Sequence, residues 1–162
     1  MAYQKTQGRE AHNVIKSDNA NIPYTTKRIS GSNGAITVDK LVASGGVNFI
    51  TSGVQIGDIV YNNTDNTAAT VILVDSATVL TLNADIFTAA SNYVIYAASP
   101  GEGDDANNGC VLYIGKTGDL SVNVVGGESP VIFKAVPIGF FPMQVTRINL
   151  KATTADDFVA IW

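Results

Sequence analysis

Few residues in this chain are of types that do chemistry, and their spacing limits what they can do. His12 is the only histidine and Cys110 the only cysteine among 162 residues. Any Cys-His pair, Ser-His-Asp arrangement or histidine-rich metal site must therefore recruit a single imidazole. That imidazole stands in a polar opening stretch, a poor setting for tuning a catalytic pKa, so a solvated or interface histidine is expected. Cys110 cannot form an intramolecular disulfide and opens an apolar run, which predicts a buried, inert thiol. Gly115-Lys116-Thr117 has the ending of a phosphate-binding loop, G-x-x-x-x-G-K-[ST]. The preceding glycine, Gly109, lies one residue too far away, and Asp119-Leu120-Ser121-Val122 reads as a strand, not as a helix whose first amides could cradle phosphate. Lys116-Thr117-Gly118-Asp119 is therefore expected to be a hairpin turn. The run GEGDDANNG, 101–109, is rich in oxygen ligands, but a calcium loop starting at Asp104 would need a closing glutamate where Gly115 stands, so a solvated loop is expected. Asp156 and Asp157 are adjacent, which in a strand sends them to opposite faces; a turn is the expectation. No catalytic residue, metal site or cofactor is expected, and the chain is read as a non-enzyme.

The elements that would position these residues are strands. Residues 1 to about 27 are polar with isolated apolar residues and read as an extended arm with one short strand between Ala11 and Ile15. From Ile36 to Ala98 short apolar runs alternate with Gly, Asn, Asp and Ser clusters. These are Ile36-Thr37-Val38, Asp58–Tyr61, Thr70–Val74, Val79–Leu82 and Tyr93–Tyr96, together a small meandering barrel. Residues 83–91 could make one helical turn. Residues 99–109 carry almost every turn-forming type and read as a linker. The closing stretch, 110–162, alternates apolar and polar residues between glycine turns and ends on the strand-like Phe158-Val159-Ala160-Ile161-Trp162. The expected organisation is an arm and first strand over 1–35, an inserted barrel over 36–98, a linker over 99–109 and a C-terminal β module over 110–162.

Composition narrows the partners. The charged fraction is 15%, below the roughly 25% of an average domain, as for a surface partly covered by other proteins. A formal net charge of −4 and a pI near 4.7 argue against nucleic acid, which calls for basic stripes. The sequence has no apolar leader and no membrane-length apolar run, so synthesis and folding in a cytoplasm are expected, without a membrane partner. The Asn62-Asn63-Thr64 sequon then reads as an asparagine-rich turn. Tyr61, Tyr93, Tyr96, Phe133 and Trp162 fall within strand patterns and are expected in or beside the core. Phe140 and Phe141 lie between Pro137 and Pro142, which remove ladder donors, so a bulged corner or edge is expected; the two rings are read first as core, with a partner-facing ring as the alternative. Tyr3, Ile22, Pro23 and Tyr24 of the arm, with Phe140 and Phe141, are the candidate interface residues.

Three segments carry a family resemblance: Val111–Leu120, with its Leu112-Tyr113-Ile114-Gly115 core, Val131–Val145, and Ala152–Trp162. Together they resemble virion proteins of tailed phages, in particular the spike-base proteins on the heads of phage-like gene transfer agents, which are themselves similar to capsid decoration proteins. Val14-Ile15-Lys16-Ser17-Asp18-Asn19-Ala20-Asn21-Ile22-Pro23 is similar to that family's opening strand and turn, which run almost directly into the Leu-Tyr-Ile-Gly strand. The intervening 53–87 region resembles a small barrel recurrent in phage structural proteins. The resemblance implies an all-β fold: a small sandwich or barrel made from the N-terminal strand and the C-terminal strands, interrupted by an inserted SH3-like barrel. It also implies a homo-oligomeric head decoration, cement or spike-base protein that binds the major capsid protein or another virion protein on the outer surface of the head. A tail or baseplate adaptor or fibre-attachment protein is the alternative, and a carbohydrate-binding β module, with Tyr and Trp as stacking platforms, is the second.

Overall fold

The computed structural model describes residues 10–98, 109–127 and 130–162, and among them the chain is all-β. In chain order the strands are β1 (Ala11–Asn13), β2 (Lys27–Ala35), β3 (Lys40–Ala43), β4 (Ile59–Asn62), β5 (Thr67–Val74), β6 (Val79–Leu82) and β7 (Asn92–Tyr96). They continue as β8 (Cys110–Lys116), β9 (Gly118–Val124), β10 (Val131–Val136), β11 (Gly139–Ile148) and β12 (Asp156–Ile161). The chain divides into two units, Met1–Val14 with Asn108–Trp162, and Ile15–Asn107. The second unit therefore interrupts the first.

The inserted unit is a closed barrel in the order β2-β3-β6-β5-β4-β7. Closure removes free strand edges, so the backbone ladder is satisfied all round. Inward residues alternate with outward ones, as in β6, where Leu80 and Leu82 are buried between half-buried Val79 and Thr81. The interior holds Leu41, Phe49, Val60, Val71, Phe87 and Ile95. The Tyr93 ring lies among them, with centroids 6.2 Å from those of both Phe49 and Phe87. Burial pushes the Tyr93 hydroxyl pKa up to about 12. Gly31 is needed at this point, because a Cβ there would come within 2.8 Å of the Tyr93 hydroxyl.

Three expectations change in the barrel. Ile36-Thr37-Val38 is not its first strand; it lies between β2 and β3, and both flanking aliphatics are exposed. The first barrel strand is β2, inside the stretch read as the arm; its sequence, KRISGSNGA, is too polar and glycine-rich to announce a strand. Residues 83–91 form bends and not a helical turn. Phe87 anchors that loop in the core, and Asn62 pins it by donating from Nδ2 to the Ile86 carbonyl at 2.7 Å. The Asn62 Oδ1 accepts the N–H groups of Thr64 and Asp65, so this asparagine builds the β4–β5 turn.

The segment from Ile15 to Tyr24 is a strap along the barrel. The Ser17 hydroxyl donates to the Ala68 carbonyl at 2.8 Å. The Asn19 carbonyl accepts from the Thr70 hydroxyl and the Asn83 amide at 3.1 and 2.6 Å. Ala20 packs with Ile59, Tyr61 and Ala68 in a small cluster that Ile15 also joins. The Tyr24 N–H donates to the Ala97 carbonyl, which carries the chain into β2. Polar residues that look like a loose arm in the sequence are thus satisfied one by one on the barrel wall.

The outer unit is a six-stranded sheet in the order β1-β12-β8-β11-β9-β10. Strands β8 and β9 follow each other across the single residue Thr117, and both pair antiparallel with β11: Gly139–Val145 with β8, Val145–Ile148 with β9. The expected hairpin over Lys116–Asp119 is therefore a corner, and β11 lies between the strands it would have joined. Gly118 permits the corner, since a Cβ there would fall onto the backbone of Thr154 and Ala155. Long strands that bend from one layer to the next close a small core, here Leu112, Ile114, Leu120, Val145, Phe158 and Ala160, all buried. The Asp156-Asp157 turn is also corrected: both residues open β12, and Asp157 takes a left-handed φ of 57° beside Gly115, whose missing side chain leaves it room.

Candidate interaction face

The single-residue chemistry candidates are each held in a structural role. Cys110 is buried, donates to the Val145 carbonyl, and has its thiol pKa pushed up to about 12 by desolvation, so it carries almost no thiolate at neutral pH. His12 is the middle residue of β1, opposite Ala160, and burial lowers its pKa. The sequence reading left it a solvated or interface histidine in a polar arm; pairing with β12 turns it toward the sheet's buried side, where Ala160 lies. Among the described residues no cluster of His, Cys, Asp and Glu is arranged to hold a metal ion. The calcium-like run falls outside the described residues except for Gly109.

Two acidic residues organise the backbone around them. Asp119 sits just past the β8–β9 corner. Its carboxylate accepts from the Lys134 ammonium at 2.6 Å and the Ala135 N–H at 3.0 Å, and these bonds hold its pKa below the usual carboxylate range. They also support Ala135 in a left-handed φ of 49°, the irregular point of the β9–β10 ladder. In the barrel, the buried Asp58 receives the Arg28 Nε–H at 3.1 Å, the Gln55 N–H at 2.9 Å and the Ala98 N–H at 3.3 Å. A shallow hollow of about 240 Å³ lies beside Asn33, Ile36 and Ala90. Both ends of the Asn33 amide are bonded to backbone there, to Val42 N–H and the Ala35 carbonyl.

The candidate interface residues separate. Tyr3 lies outside the described residues. Ile22 and Pro23, expected on an accessible arm, are buried in the strap, and Tyr24 is half-buried with its N–H bonded to Ala97. Phe141 is 7% exposed and turns inward onto Phe133, with ring centroids 4.9 Å apart at a steep angle. Phe140 is 70% exposed. The Pro-bracketed pair thus divides as strand alternation requires, one ring to the core and one to solvent.

Phe140 does not stand alone. It pairs across the ladder with Tyr113 of β8, and the two rings meet edge to face with centroids 5.6 Å apart. Tyr113 pairs in turn with Val159, and Val159 with Asn13. A second row on the same outward side runs Gln144, Val111, Ile161, Ala11. Side chains of alternate residues share a face, so these rows form one surface four strands wide, and neither row contains a charged residue. Sequence reasoning found Phe140 and missed Tyr113, Val159, Val111 and Ile161. Their signal, alternate apolar residues in β8 and β12, was present, but which strands lie side by side was not. Tyr61 and Tyr93, expected in or beside the core, are 3% and 1% exposed inside the barrel unit. No protein-family model, curated protein or solved structure matches the chain.

Proposed function

We propose that this chain is a structural protein of a tailed-phage virion, positioned on the outside of the head as a decoration, cement or spike-base protein. The observation that carries the reading is the pairing of β1 with β12, which in turn pairs with β8. Of the N-terminal segment that resembles the head proteins, Val14 follows β1 directly and donates its N–H to the Phe158 carbonyl of the closing sheet, while Ile15–Pro23 runs along the barrel. The barrel then stands as an insertion between β1 and the closing strands. The two rows without charge through Phe140, Tyr113 and Val111 fit a protein that works by contact. Attachment to the major capsid protein or another virion protein, as a homo-oligomer, belongs to the same proposal.

The test is labelling of intact particles made by the genome that encodes the chain, with an antibody against the barrel. Label distributed over the head, or at its vertices, is the expected result. Label confined to the tail or baseplate would replace the head assignment with an adaptor role, and absence from purified particles would overturn the virion reading.

A further inference from the structure

We infer that the outward face of β12, β8 and β11 is a self-association surface, on which a second copy of this chain packs face to face about a two-fold axis with the Phe140 and Tyr113 rings at its centre. This names a partner for the face already described and relies on the virion reading only for its setting on a particle; the association itself is a property of the isolated protein.

Charge selects the occupant. The chain carries a net charge of −4, so two copies repel weakly at most orientations. The rows through Tyr113 and Val111 contain no charged side chain, and the exposed Asp157 beside Gly115 borders them on one side. An isologous contact places every residue near itself or its mate, so a charged face would meet its own sign, and a neutral apolar face escapes that penalty.

Area agrees. Phe140 is 70% and Tyr113 37% exposed, and rings of this size carry about 150–250 Å² each, so the two leave about 200 Å² in solvent. With the half-buried Val111, Val159 and Ile161 and the neutral Ala11, Asn13 and Gln144, the face reaches about 500 Å². Two such faces packed together remove about 1,000 Å², the size at which a contact becomes specific. Sheets pack in this way about 10 Å apart, with interdigitated side chains. An exposed aromatic paired edge to face with a second one, at the β11 end of two rows without charge, is the composition of an interface hot spot.

Sedimentation velocity and light scattering across a wide concentration range test the inference on the full chain. The wild type is expected to dimerise reversibly, and Phe140→Ser to weaken the dimer by at least about 30-fold, the equivalent of about 2 kcal/mol. Ile72→Ser, at an exposed position on the barrel, should leave association unchanged. Circular dichroism shows whether each variant is folded. Tyr113→Glu and Tyr113→Lys, monomeric alone, should pair when mixed, an outcome that general misfolding cannot produce. A wild type that stays monomeric throughout, or a dimer indifferent to Phe140→Ser and to the charge swap, would overturn the inference. A monomer that still decorates heads would overturn this inference and leave the virion reading standing; a dimer absent from particles would do the reverse.

Discussion

At the scale of the residue, the ionisable groups predict an ordered response to acid. His12 has a lowered pKa through burial. A histidine whose folded pKa lies below its unfolded value of about 6.5 contributes stability at higher pH, and that contribution is lost as pH falls through the folded pKa. Asp75 is held below the usual carboxylate range by hydrogen bonds from Thr81 and Lys40, and Asp119 by those from Lys134 and Ala135. Each contributes stability above the ordinary carboxylate pKa, about 3.9, and loses it as pH falls further. On acidification the amides of β1 and its β12 partners should therefore lose hydrogen-exchange protection first, and the barrel and the β8–β9 corner only in the carboxylate range. Simultaneous loss in all three places would contradict this sequence of events. The identities of these residues were plain from the chain, but their roles were not: Asp119 meets Lys134 only because β9 and β10 pair.

At the scale of the element, the barrel closure depends on one buried ion pair. Asp58 joins Arg28 at the start of β2 to the Gln55 N–H before β4 and the Ala98 N–H after β7. Removing one partner of a buried pair typically costs about 3–5 kcal/mol, because the other charge and the N–H groups are left unsatisfied. Arg28 is partly exposed, its side chain 28% accessible, so water can take up part of that loss; Asp58→Ala should cost about 2–3 kcal/mol. Urea denaturation reads this directly, and a change under about 0.5 kcal/mol, the size of an ordinary surface substitution, would show that Asp58 is not the tie described. Strands β4, β5, β6 and β7 were legible because apolar alternation and turn residues agreed. The polar β2 and the strap were not, since the barrel wall supplies their partners and no local pattern announces them.

At the scale of the whole molecule, two units share one chain, and each has its own buried residues. Cutting the insertion at 36 and 98, as the sequence boundaries suggest, would sever β2 and the strap from the barrel they complete. Cutting at Ile15 and Asn107 follows the units themselves. A barrel of residues 15–107 expressed alone should melt in one cooperative transition, and a short glycine-serine linker between Val14 and Asn108 should leave β1 paired with β12. Backbone amide spectra of the two pieces, overlaid on the whole protein, check this. A barrel piece that stays unfolded would make the insertion dependent on its host.

The sequence by itself determined that this chain is all-β and that Cys110 is buried. These follow from residue type and a period of two, which are local. Only the tertiary structure decided that Lys116–Asp119 is a corner, that β11 lies between β8 and β9, that Ile22 and Pro23 are covered, and that Tyr113, Val159, Val111 and Ile161 join Phe140. The reason is physical: alternation says which side of its own strand a residue takes, whereas a face is made of several strands, and their order is set by long-range hydrogen bonding and core closure.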